Sequence, residues 1–131
     1  MRISRGRQAG KGSEMRGATF TGRVWADPVL APQDGVTVNT VFFEPAARTH
    51  WHSHDIGQVL YVTHGEGYAR SKDGTGGRLT PGDVVHIPAG EVHWHGAGPD
   101  SYMLHVAISL GGHEWLDPVS DEDYAKAVES R

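Results

Sequence analysis

From residue 36 to residue 109 the chain alternates short runs of β-branched and aromatic residues with glycine, proline and acidic turn signals. VTVNTVFFEP (Val36 to Pro45) reads as a strand that stops at its proline, and QVLYVTHGEG (Gln58 to Gly67) as a strand closed by a glycine turn. GYARSKDGTGG has the pattern of a hairpin around Asp73-Gly74. TPGDVVHIPAG, EVHWHG and SYMLHVAIS supply three further strands, over 80–90, 91–96 and 101–109. Strands at this spacing, with no helical period between them, predict an all-β sandwich or closed barrel over residues 18–113. Residues 1–17 are polar and glycine-rich and read as a flexible arm, within which Arg2 to Arg5 can add an edge strand, on a partner subunit for instance. In the C-terminal segment, 114–131, Ser120 and Asp123 make a capping signal for one short helix in DEDYAKAVES.

Composition narrows the function classes. The net charge of -4 and the lack of a sustained basic run predict no nucleic-acid partner. No run of eighteen apolar residues is present, which predicts a soluble, cytoplasmic chain with no membrane partner. With no cysteine, disulfides, thiolate chemistry and sulfur-based metal sites are excluded.

Nine histidines in 131 residues change the picture. Alternate side chains of a strand share a face, so His52 and His54 in THWHSHDIGQ point the same way. Gln58 follows at the start of the next strand, His93 and His95 repeat the alternation, and His105 sits in the last strand. Five histidines at same-face spacing in short strands point to a metal site at a barrel mouth. Nitrogen and oxygen donors suit manganese, iron, cobalt, nickel, copper or zinc better than magnesium or calcium.

These segments resemble the two motifs of the cupin family of small metal-binding β-barrels. The first motif runs Gly, five residues, His-x-His, three or four residues, Glu, six residues, Gly. Here Ala46 stands for the first glycine, followed by His52, His54, Gln58 in place of glutamate, and Gly65. The second runs Gly, five residues, Pro-x-Gly, two residues, His, three residues, Asn, matched by Gly82, Pro88, Gly90 and His93, with Ala97 at the asparagine. The resemblance implies a jelly-roll barrel and a metal held by His52, His54, Gln58 and His93. FTGRVWADPVL, EPAARTHWHSHDIGQ, PGDVVHIPAGEVHWHG and MLHVAI are further similar to the bacterial cupin hydroxynitrile lyases. That group keeps glutamine as fourth ligand and binds manganese, with a pocket histidine on the last barrel strand that matches His105. Thr49, His50 and Val41 are the expected substrate-pocket residues. His50 lies about 6.6 Å along the strand from His52, so lining the pocket suits it better than coordination.

An amide among the ligands has a chemical consequence. Three imidazoles and an amide leave the full charge on a divalent ion, which favours Lewis-acid chemistry and lacks the carboxylate of many iron oxygenases. With the resemblance, this makes cyanohydrin cleavage the expected function, with the metal as Lewis acid, His105 as base, and His95 assisting. The alternatives are a metal-dependent dioxygenase or other small-molecule enzyme at the same site, and a non-catalytic metal- or ligand-binding barrel. The expected cofactor is one divalent transition metal per chain, manganese first. The expected partners are a small-molecule substrate and further copies of the chain, as a homodimer or homotetramer. His64, His86 and His113 align with no family role. Trp51 and Trp94 alternate with the ligands and are expected to face away from the ion, while Arg48 and Glu44 read as surface or interface residues.

Overall fold

The structure, a computed structural model, describes residues 1–129. Two sheets face each other across a common core. The first uses β1 (Glu14–Arg16), β3 (Val24–Gln33), β4 (Val36–Phe43), β7 (Gly57–Gly65), β10 (Val84–Pro88) and β12 (Met103–Leu110), in the order β1-β3-β4-β12-β7-β10. The second is built on β11 (His93–Ala97). Its neighbours are β5 (Arg48–Thr49) and β6 (His52–His54) on one side and β8 (Gly67–Ser71) on the other. β2 (Phe20–Thr21) and β13 (His113–Trp115) extend this sheet through β5 and β6, and β9 (Gly76–Leu79) closes a hairpin with β8. The expected barrel is present, and its last strand is β13, His113–Trp115.

The alternation read from the sequence has its physical cause in this layering. Along β12, Met103, His105 and Ala107 are buried inward while Leu104, Val106 and Ile108 lie half-buried on the outer face. Val24, Phe43, Leu60, Val62, Ile87 and Met103 fill the space between the sheets. The β12–β7 ladder slips between Leu104 and His105, so Leu104 pairs with His64 and His105 with Val62. Thr63, the extra residue of this bulge, donates its hydroxyl to the Leu104 carbonyl at 3.2 Å.

Three local features depart from expectation. Within this chain the strand of the N-terminal segment is Glu14–Arg16, which pairs with β3, while Arg2 donates its guanidinium to the Ala31 carbonyl at 2.6 Å. Ten-residue β3 includes Pro28 and Pro32 because its ladder with β4 is irregular between Pro28 and Gln33, where the missing amide donors cost no regular bond. Arg48 is buried rather than superficial. It donates to the Val119 carbonyl at 3.0 Å and to Asp121 at 2.9 Å, and lies over the Tyr124 ring.

Those Arg48 contacts tie down α1 (Asp121–Glu129), which Ser120 caps by accepting from the Asp123 amide at 3.0 Å. Beneath the helix, Trp51, Tyr68, Trp94, Val119, Tyr124 and Ala127 form a second apolar cluster. The two tryptophans thus face away from the ligand strands, as their alternation requires. Asp73 shapes the β8–β9 turn by accepting from the amide and hydroxyl of Thr75, which hold its carboxyl below the usual range.

Candidate metal centre

The histidines meet because the two sheets bring β6 and β11 together against β7. His52 and His93 are register partners across β6 and β11, and their rings lie 4.2 Å apart. Each ring is fixed in the same way. Nδ1–H of His52 donates to the His50 carbonyl at 2.9 Å, and Nδ1–H of His93 donates to the Glu91 carbonyl at 2.9 Å. With the proton on Nδ1, each neutral ring turns an Nε2 lone pair toward the interior, the tautomer a metal requires.

Gln58 reaches the same point from the opposite sheet. Its amide nitrogen donates to the Ser109 hydroxyl at 3.0 Å, which turns Oε1 toward His93 Nε2, also at 3.0 Å. Both atoms are acceptors, so two lone pairs confront each other inside the protein. Burial opposes protonating His93 to relieve this, since it pushes that imidazole's pKa down. A cation shared by the two resolves the conflict: ligands about 2.1 Å from one ion at a right angle stand roughly 3.0 Å apart. The donor set therefore fits a divalent transition metal.

His54 adds a second sign. Its two ring nitrogens are buried without a hydrogen-bond partner, and its pKa is pushed down to about 4, first by burial and then by His93 and His113. Ligand atoms of His52, His93 and His95 all lie within 4.8 Å of one another. An ion on His52 and His93 thus has His95 within reach, as a ligand or as the nearest group to a bound molecule.

His95 and His105 form a buried pair that bridges the two sheets, with His105 Nε2 and His95 Nδ1 2.9 Å apart. Burial lowers the pKa of both, that of His105 to about 4, so the resting pair is neutral. One of the two facing nitrogens carries the proton and the other accepts it. His95 Nε2 and His105 Nδ1 are left with no partner.

A cavity of about 520 Å³ opens onto this cluster. Thr49, His52, His54, Gln58, His95 and Ser109 give it a polar floor, and Phe20, Ala26, Val41, Ala107 and Trp115 give it apolar walls. Thr49 and Val41, expected in the substrate pocket, both line this cavity. His105 is not on the wall: it is 0 % exposed and stands behind His95, which meets the cavity instead. His50, also expected in the pocket, has a half-buried side chain that is not among the lining residues, and its carbonyl orients His52. His113 and Arg16 were not anticipated as wall residues. The signal for His113 is the alternation of His113 with Trp115, which places it in register with His54. Exposed His64 and His86 stand apart from the site.

Residues 39–108 match the cupin domain family. The chain belongs to the cupin family. Among curated cupin relatives, it is 45 % identical over 113 residues to the (R)-mandelonitrile lyase of Granulicella tundricola, covering 82 % of this chain and 86 % of that one. A cupin-like protein of Thermotoga maritima has a crystal structure with a TM-score of 0.85 and 41 % identity. That match covers 95 % of this cupin and 100 % of the other. An acireductone dioxygenase of Tuber melanosporum is 32 % identical over 87 residues, covering 60 % of this chain and 50 % of that one.

Proposed function

We propose that this cupin is a metal-dependent lyase that cleaves a cyanohydrin into a carbonyl compound and hydrogen cyanide. The observation that carries the reading is the neutral His95–His105 pair, whose His95 shares with His52 and His93 a group of nitrogen donors that contains no carboxylate. The relative named (R)-mandelonitrile lyase supports the same chemistry and suggests an aryl cyanohydrin. In this reading His52, His54, His93 and Gln58 hold one divalent ion, manganese first, and His95 stands beside it. Bound there with no carboxylate to cancel its charge, the ion supplies a Lewis acid that makes a nearby hydroxyl easier to deprotonate.

The chain's own groups do the rest. Phe20, Val41 and Trp115 receive the apolar part of the substrate, which leaves its hydroxyl and nitrile toward the polar floor. His95 Nε2, the unpartnered nitrogen of a residue that lines the cavity, takes the hydroxyl proton. The oxygen's electron pair becomes the carbonyl, the carbon–carbon bond to the nitrile breaks, and its electrons leave on cyanide. The proton then returns from His95 to cyanide, so the enzyme ends as it began. His105 acts through His95: as acceptor for the Nδ1 proton it keeps the Nε2 lone pair free. Thr49 steadies this strand by accepting the His95 amide at 3.3 Å.

The test is release of cyanide and benzaldehyde from mandelonitrile by manganese-loaded protein under anaerobic conditions. Activity is expected without oxygen, is lost on chelation, and falls at least a hundredfold in His95→Ala. A wild-type rate equal to background overturns the reading. The similarity to a dioxygenase favours a second reading, oxygen-dependent cleavage at the same centre, for which oxygen consumption is the distinguishing result. A homodimer or homotetramer belongs to the proposal as well, and light scattering tests it.

A further inference from the structure

We infer that Ser109 is a positioning residue that sets which end of the Gln58 amide faces the metal, and thereby sets metal affinity. The inference rests on the proposed ligand role of Gln58. Ser109 lies on β12 in register with Gln58 on β7, so its hydroxyl meets the amide from the neighbouring strand. An amide has one accepting and one donating end, and only the oxygen can ligate a cation. Reversed, the Gln58 side chain turns its NH₂ toward the His93 Nε2 lone pair, 3.0 Å from the present oxygen. That arrangement is an ordinary hydrogen bond that closes the site against an ion. The two orientations therefore compete, and metal binding requires the one in which the NH₂ group points at β12.

The Ser109 hydroxyl decides the competition by what happens without it. Gln58 is 4 % exposed but lines the cavity, so without the hydroxyl its NH₂ group has only a cavity water in place of a fixed acceptor. Without Ser109 Oγ the ligating orientation leaves the NH₂ with no protein acceptor. The reversed orientation merely leaves an oxygen short of one donor, while its NH₂ bonds to His93. Removing the hydroxyl thus favours the metal-excluding orientation. A glutamate at position 58 has no such choice, because both its ends are oxygens.

The experiment measures the dissociation constant of Mn²⁺ by chelator competition for wild type, Ser109→Ala and Ser109→Thr, each also in a Gln58→Glu background. Ser109→Ala is expected to weaken binding about ten- to a hundredfold. Ser109→Thr restores the hydroxyl, its added methyl reaching into the cavity, and is expected to bind within about threefold of wild type. In the Gln58→Glu background Ser109→Ala is expected to have less than a tenth of its former effect. In the metal-free protein, side-chain amide NMR of Gln58 is expected to shift between wild type and Ser109→Ala. Equal affinities of wild type and Ser109→Ala overturn the role of Ser109 alone. An equal loss in both backgrounds also overturns it, by marking the effect as structural. A wild type that takes up no Mn²⁺ instead overturns the ligand reading on which the inference stands.

Discussion

His105 is a fully buried imidazole, and its burial has a measurable effect on stability. Its pKa is pushed from an ordinary 6.5 to about 4 by desolvation. The unfolded chain takes up this proton below about pH 6.5, whereas the folded chain resists until about pH 4, so acid favours unfolding throughout that window. The full effect is about 3 kcal/mol, and about 2 kcal/mol of it is already lost at pH 5. His105→Gln removes the titration while keeping an amide able to bond His95 Nδ1 and a volume that fits beside Phe43, whose ring centroid is 5.1 Å from that of His105. Urea unfolding with excess chelator, at pH 7.5, 6.5, 5.5 and 5, measures the difference between the two proteins. At pH 7.5 the wild type is expected to be the more stable, and by pH 5 its lead narrows by about 2 kcal/mol. Curves that run parallel across the whole range would refute the reasoning, because His105 would then be titrating alike in the folded and unfolded chains.

Four other outcomes follow from named contacts. Gln58→Glu places a carboxylate in the donor set, so cyanohydrin cleavage is expected to fall about tenfold or more while Mn²⁺ stays bound, read from rate and metal content on one sample. Gly65→Ala drives a methyl to 1.9 Å from the Tyr102 carbonyl at a backbone φ of 72°, and a loss above about 3 kcal/mol is expected, seen as insoluble protein or a sharply lowered melting temperature. Ala46 occupies the left-handed region at φ 67°, where the family motif has glycine, so Ala46→Gly is expected to stabilise by up to about 1 kcal/mol in urea unfolding. Arg48→Met keeps the apolar stem over Tyr124 but leaves the Val119 carbonyl without its donor, and a loss of about 2 kcal/mol is expected, with the helical circular dichroism melting first.

What the sequence made legible was whatever a period of two encodes. The strands around Val41, Leu60, Ile87 and Met103 were readable because each puts alternate residues into one core. The same rule put His52 with His54, and His93 with His95, before any pairing was known. It failed where chemistry and pattern disagree. Pro28 and Pro32 argue against a strand, and only the irregular ladder around them explains why β3 persists. Arg48 looked superficial because a buried guanidinium depends on partners some seventy residues away, the Val119 carbonyl and Asp121. His113 carries little local signal, because its strand is three residues long and joins the site through pairing with β6.

Alternation gives the face of a side chain and not its depth, and the catalytic assignment turns on that difference. His105 and His95 both point inward, from opposite sheets, so either could have been the group that meets a substrate. Their 2.9 Å contact occupies one nitrogen of each ring and so does not choose between them; the cavity does, because His95 lines it and His105 does not. His105 is behind, and its remaining nitrogen opens onto no cavity wall. His95 is in front, beside His52 and His93 and with its Nε2 unpartnered. Gln58 poses the same problem at the scale of a single amide. The letter Q at position 58 specifies an oxygen and a nitrogen without saying which one faces the histidines. That choice is made by a serine fifty-one residues away, across a strand pair that the local pattern around Gln58 does not reveal.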